Sequence, residues 1–292
     1  LIAMRSSPEG IKDGEIAFFG GSFTAIDRDY MIELLSSAQE FIGENGFKGI
    51  RISTRPDAVD GEICDILEKY HVTAVELGAQ STNDKVLAMN RRGHTREDIF
   101  RSARLLKERG FELGLQMMTG LYGSNDEDSI GTARDIISLS PDTARIYPTV
   151  VIENTELAEL YRSGEYRPQT PEEAALLCAK ILPMFERAGI KVIRLGLHSG
   201  GDVEGSFVAG AYHPALREMC EGHIYFDIIN KALSGKEKGK YIIYVAPREI
   251  SKASGQRRCN IEKLRELGYE CKIKESAALS ARDITLEKVN LL

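Results

Sequence analysis

Short apolar runs alternate with amphipathic helical stretches at least six times along this chain, and few folds accept that rhythm. Strand-like runs occupy 16–19, 49–54, 72–78, 111–118, 143–151 and 190–197. Helical patterns fill 28–43, 59–70, 83–89 with 95–109, 126–138, 153–162 and 171–188. Each gap is long enough for a right-handed crossover to a parallel strand. Buried parallel strands read as continuous apolar runs, and Ile16-Ala17-Phe18-Phe19 is one. Asn45-Gly46, Arg109-Gly110 and Ala188-Gly189 suit helix C-caps, while Thr170-Pro171-Glu172-Glu173 suits a helix start. The G-x-G-x-x-G fingerprint of an open nucleotide-binding sheet is absent. The expected fold is therefore α/β, a full or partial TIM-like barrel, a partial (β/α)6 barrel if the six units counted are all there are.

The 292 residues leave room for a small appendage, and the charge shows where it lies. The net charge of −6 argues against indiscriminate nucleic-acid binding by the whole chain. Residues 231–274 nevertheless hold twelve Lys/Arg against five Asp/Glu. The expected organisation is a barrel over 1–230, a linker at 231–240, a basic module at 241–274 and a weakly helical tail at 275–292. No apolar run approaches the roughly 20 residues of a membrane span, and no secretory signal is visible. The five cysteines, at 64, 178, 220, 259 and 271, form no CxxC pair and no zinc motif. An odd, scattered set fits reduced thiols in a cytoplasmic protein, and no residue is assigned to a metal.

In a barrel of this kind the chemistry sits at the C-terminal strand ends. Those ends read Gly20-Gly21-Ser22-Phe23-Thr24, Ser53-Thr54-Arg55-Pro56-Asp57, Glu76-Leu77-Gly78-Ala79-Gln80-Ser81, Gln116-Met117-Met118-Thr119-Gly120, Arg145-Ile146-Tyr147 and Arg194-Leu195-Gly196-Leu197-His198. Bare glycine backbone at Gly20 and Gly21 can offer carbonyls to an amine. Ser53, Thr54 and Arg55 suit a carboxylate, which arginine binds bidentately. Gln80 and Gln116 both donate and accept, and Met117 and Met118 offer apolar surface to a flat ring. The set describes a ligand with a carboxylate, an amine and hydroxyls. Individually, Arg55 and Asp57 also read as a simple ion pair, and Arg91-Arg92 as a solvated face.

The order GGSFT, RISTRPD, ELGAQS, NRRGHT, MMTGLYG and RIYPTVVIENTELAELYRSGEY resembles the radical S-adenosylmethionine (SAM) superfamily over residues 14–230. It looks closest to the branch containing the catalytic subunit of elongator. The resemblance implies S-adenosylmethionine and a 4Fe-4S cluster as cofactors, with a 5′-deoxyadenosyl radical attacking the substrate. It implies that Gly20, Gly21, Ser22, Phe23, Ser53, Arg55, Gln80, Gln116 and Met117 line the cofactor pocket. Arg145, Tyr147 and His198 are then the candidates for substrate contact. Family members hold the cluster with a CxxxCxxC-type motif after the first strand, and nothing of that kind exists in this sequence. With Leu1 as first residue, the expectation is a chain recorded without its first strand and cluster loop, and inactive alone.

Residues 241–267 are similar to the core of a KH-type RNA-binding domain, whose GXXG loop clamps a nucleotide backbone. Here the loop is Gly255-Gln256-Arg257-Arg258, with arginine in place of the second glycine and two cations for phosphate. Arg257 and Arg258 are the candidate RNA contacts, and RNA, transfer RNA foremost, is the expected substrate. Two other readings stay open: a small-molecule radical enzyme of the coproporphyrinogen oxidase type, and a non-catalytic RNA-binding barrel.

Overall fold

Six strands form one parallel sheet: β1 (Glu15–Phe18), β2 (Gly49–Thr54), β3 (Val72–Gln80), β4 (Glu112–Thr119), β5 (Thr143–Pro148) and β7 (Lys191–Leu195). They pair in the order β1-β2-β3-β4-β5-β7 and curl into a half-barrel. The computed structural model describes residues 14–44, 46–197 and 205–289. It divides into two units. The first comprises Leu1–Thr149, Glu159–Tyr166 and Met184–Leu195; the second comprises Val150–Ala158, Arg167–Pro183 and Gly196–Leu292.

In the first unit the expected strand–helix order holds. Its helices are α1 (Arg28–Gln39), α2 (Gly61–Lys69), α3 (Asp84–Met89), α4 (Arg96–Glu108), α5 (Asp126–Ser138) and, from residue 159 on, α6 (Glu156–Ser163). Their starts are written in side chains. Asp27 accepts from the Tyr30 N–H and Asp60 from that of Ile63, while Thr95/Asp98 and Asn125/Asp128 form capping boxes. Strand alternation then sorts the side chains. Ile50, Ile52, Val75, Leu77, Leu113 and Leu115 are fully buried, while Arg51, Ser53, Gln116 and Arg145 on the opposite face are half-buried. The expected strand 143–151 is two strands. Thr149 turns the chain by donating both its N–H and its hydroxyl to the Thr119 carbonyl, at 2.9 and 2.7 Å. Beyond it β6 (Val150–Ile152) pairs antiparallel with β8 (Phe207–Gly210) in the second unit.

The second unit also holds residues 171–183 of α7 (Pro171–Arg187), and α8 (Leu216–Leu233), α9 (Ile250–Ser254) and α10 (Cys259–Glu266). Its sheet runs β10-β9-β11, with β9 (Gly239–Val245) central. Strand β10 (Tyr269–Glu275) is parallel to β9, and β11 (Ile284–Lys288) is antiparallel to it. The weak helical pattern expected over 275–292 is thus corrected: Ile284 and Leu286 alternate toward the core and the segment adds a strand. The core joins Tyr225, Ile229 and Leu233 of α8 to Tyr241, Ile243 and Val245 of β9, with Ala253, Leu264 and Tyr269. Spacing of four puts the three α8 residues on one face. Of the segment 231–240 expected as linker, Lys231–Leu233 end α8 and Gly239 begins β9.

The turn between α9 and α10 is conformationally demanding. Gly255 has φ +73°, and a Cβ there would sit 2.7 Å from Cys259 Sγ. Arg257 and Arg258 follow in the left-handed region at φ 51° and 64°. That conformation costs a non-glycine residue about 1–2 kcal/mol. Glycine's extra freedom in the unfolded chain returns about 0.4–1 kcal/mol of that. Arg258→Gly should therefore raise stability by about 0.5–1 kcal/mol, read as a higher urea midpoint at unchanged m-value; a lowered midpoint would refute the strain.

Candidate functional site

The centre of the half-barrel is ionic. Glu76, on β3, is 1% exposed. Arg145 Nη2 donates to its Oε1 at 2.6 Å, and Gln116 Nε2 donates to its Oε2 at 2.8 Å. Arg51 stands 3.7 Å away and binds Glu15 and Glu112, each at 2.7 Å. Parallel register makes this possible. Ser53 lies beside Glu76, Gly78 beside Gln116, and Gln116 beside Arg145. Gly114, beside Glu76, has no room for a side chain: its Cβ would be 2.8 Å from Glu76 Cγ. Gln116 Nε2 gives one of its two N–H groups to Glu76, which leaves the amide its carbonyl oxygen and a second N–H.

At the strand ends, Arg55 makes a two-point ion pair with Asp57 at 2.6 and 2.7 Å, as the simple reading of those residues has it. The same guanidinium fits against Gly93, whose ideal Cβ would lie 2.5 Å from Arg55 Nη2. Burial and the Arg55 charge pull Arg92 below the usual arginine range, and its buried Nε has no partner. Asp57 is paired with Arg55, and Arg92 adds a second positive charge suited to an anion. His94 of the same segment is structural, its Nε2 3.1 Å from the Ala79 carbonyl.

The loop after β1 is tied down by hydroxyls: Thr24 Oγ1 is 2.6 Å from Thr54 Oγ1 and donates to the Ala58 carbonyl at 2.6 Å. Gly20 needs glycine for its φ of +109°, but Gly21 does not. A Cβ on Gly21 would meet nothing within 4 Å, so no protein contact explains its bareness.

Among the other candidates, Ser53 shares the half-buried face of β2 with Arg51 and Arg55, and Ser22 is half-buried. Gln80 is buried at φ 62° and folds back on Gly78, where a Cβ would lie 2.6 Å from its Nε2. Tyr147 receives Arg145 Nη1 on its hydroxyl at 3.3 Å. Two placements correct the expected pocket. Phe23 is buried and stacks on Phe18 with centroids 4.9 Å apart, because its ring seals the end of β1. Met117 is fully buried with Leu113 and Leu115, because alternation gives the half-buried face to Gln116 and Met118. His198 lies outside the described residues, and Arg257 and Arg258 are exposed in the second unit. Sequence reasoning missed Glu76, Arg51, Glu15 and Glu112 as interior groups. Their signal is a charge inside an apolar strand, as in Ile50-Arg51-Ile52 and Val75-Glu76-Leu77.

Residues 6–136 match the Radical SAM superfamily model, and residues 141–225 match that of the Radical_SAM C-terminal domain. The chain belongs to the radical SAM superfamily, a family of enzymes. It is 33% identical over 196 residues to a tRNA uridine(34) acetyltransferase of Methanocaldococcus jannaschii, covering 59% of this chain and 36% of that protein. It is 32% identical over 197 residues to human Elongator complex protein 3, covering 58% and 35%. The chain thus spans about a third of the length of these curated relatives. The archaeal Methanocaldococcus infernus Elp3 structure with an N-terminal deletion matches with a TM-score of 0.64 and 25% identity, over 80% of this chain and 57% of that one. Escherichia coli coproporphyrinogen III oxidase, at a TM-score of 0.50 and 18% identity, shares the fold.

The superfamily's cofactors are S-adenosylmethionine and a 4Fe-4S cluster. A cluster needs thiolates, and this chain's thiols are poor sources. Burial raises the Cys64 and Cys220 thiols, pushes Cys178 up to about 12 and Cys271 up to about 11. Among the described residues no group of three His, Cys, Asp or Glu could hold a metal ion. The cluster does not fit the residues present, and no step is assigned through it.

Because Glu76 is the buried counter-charge of Arg145, Glu76→Gln leaves that guanidinium without its carboxylate, while Arg51 keeps Glu15 and Glu112. The expected loss is about 3 kcal/mol, seen as a lower urea midpoint. A change under about 0.5 kcal/mol would mean that solvent already screens these charges.

Proposed function

We propose that the half-barrel is the S-adenosylmethionine-binding part of a radical enzyme that modifies RNA, with transfer RNA as the leading substrate. One observation carries the reading: a superfamily barrel and a basic turn with two exposed arginines are joined in a single chain. The names of the relatives, which include tRNA uridine(34) acetyltransferases, support the choice of transfer RNA. The polar groups of the barrel fit the cofactor. Gly20 and Gly21 offer backbone to its amine, and Ser53 and Arg55, with Arg92 beside them, offer donors to its carboxylate. Gln80 and the free Gln116 carbonyl oxygen face its hydroxyls, and Arg145 and Tyr147 meet the substrate. Bound there, S-adenosylmethionine supplies radical chemistry.

A second reading has an observation of its own. Four thiols raised by burial inside helices and strands, Cys64, Cys178, Cys220 and Cys271, favour a non-catalytic RNA-binding barrel. Equilibrium dialysis with radiolabelled S-adenosylmethionine and filter binding of a tRNA transcript, both on the full chain, separate the two. Binding of both ligands is expected. Gly21→Ala should leave stability unchanged and weaken the cofactor at least tenfold. Replacing Arg257 and Arg258 with glutamate should weaken transfer RNA at least tenfold and make its affinity less sensitive to salt. Transfer RNA bound without cofactor selects the non-catalytic barrel; cofactor without transfer RNA selects a small-molecule enzyme. Binding of neither overturns the proposal.

A further inference from the structure

A cavity of about 240 Å³ lies in the second unit where α8 faces the turn between α9 and α10. Pockets for drug-sized molecules begin at roughly 300 Å³, so this one suits a single ring system with its substituents. Two glycines keep it narrow. The ideal Cβ of Gly222 lies 3.5 Å from Gly255 Cα, so part of the lining is bare backbone. Met219 adds polarisable apolar surface of the kind that packs on flat rings.

The polar lining suits the edge of a base. Burial and the Lys263 charge pull the His223 imidazole below its ordinary range. A neutral ring offers one donor and one acceptor, and the Gln256 amide offers both as well. Glu172 accepts from exocyclic amines. Lys263 also lines the cavity, its ammonium 5.4 Å from the centre of the Phe226 ring. Arg257 and Arg258 lie on the turn between Gln256 and Cys259, both of which line it. None of these three cations has a carboxylate within 4.0 Å among the described residues.

We propose that this cavity takes one nucleotide, with the base against Met219 and the Gly222–Gly255 backbone and the phosphate on Lys263, Arg257 and Arg258. The proposal rests on the RNA-binding part of the function proposed above. A nucleotide within an RNA strand and a free mononucleotide share this chemistry, and the test separates them. Cys259 lines the cavity, whereas Cys271 lies on β10 and does not. Maleimide labelling of the full chain, followed peptide by peptide by mass spectrometry, therefore reports occupancy against an internal control.

A tRNA transcript or a short oligoribonucleotide should slow Cys259 labelling at least fivefold and leave Cys271 unchanged. Lys263→Gln should abolish the protection. Gly222→Ala, whose new methyl makes only ordinary contacts of 3.5 Å and beyond, should fold normally and weaken it. Protection by mononucleotides alone, with no transfer RNA retained on filters, keeps the cavity as a nucleotide site and removes the RNA reading. Transfer RNA bound while Cys259 labels at its free rate overturns the cavity and leaves the RNA reading standing. Labelling unmoved by RNA and by all four mononucleotides at millimolar concentration also overturns it.

Discussion

The half-barrel is organised around one buried carboxylate. Removing Glu76 from water costs several kcal/mol, which is offset only if its oxygens are fully engaged. Arg145 and Gln116 engage them from two neighbouring strands, and Arg51 adds charge from a third. The arrangement holds only in the observed register, since a slip of one residue would send Glu76 into the apolar layer beneath the helices. It also requires glycine at 114, which leaves the space that Glu76 fills. The same contacts orient Gln116 and Arg145, two of the proposed ligand groups, so register and site geometry have a common cause.

Much of this was legible in the sequence, and what was not has a physical reason. Helix positions followed from periodicity and from caps such as Arg109-Gly110 and Thr170, which act through the adjacent backbone. The polar strand ends led to the proposed site because parallel strands all finish on the same side. Which side chain faces inward was harder. In a strand such as Leu115-Gln116-Met117-Met118 two similar residues occupy opposite faces, and the pattern alone does not say which. Only the register with Glu76 and Arg145 gives the inner face to Gln116. Phe23 was misread for a related cause: an aromatic at a strand end suits a ligand and suits Phe18 equally.

The second unit hid its extent in a charged stretch. The run Ser234-Gly235-Lys236-Glu237-Lys238 looks like a boundary by composition. The apolar positions of α8 at 225, 229 and 233 belong with β9 and Tyr269 all the same, so the core continues across it. Strand β11 was missed because half of its residues face solvent and only Ile284 and Leu286 carry the alternation. Short, half-exposed edge strands leave little apolar signal, and tertiary pairing decides them.

The chain divides its chemistry unevenly. Its polar groups gather at strand ends, where backbone geometry can hold a ligand without lowering the stability of a core. Cys64, Cys178, Cys220 and Cys271 sit instead in helices and strands whose burial raises their thiols, which suits packing and opposes metal ligation. Of the superfamily's two cofactors, the cluster is the one that the described residues do not fit, and the organic one is what is proposed for the strand ends. Backbone strain is also present in the second unit, at Arg257 and Arg258. Two successive left-handed arginines are a cost that packing does not repay, since both side chains are exposed. Residues held so against their own preference gather at binding sites, and here they stand between Gln256 and Cys259, beside a cavity lined by His223 and Lys263.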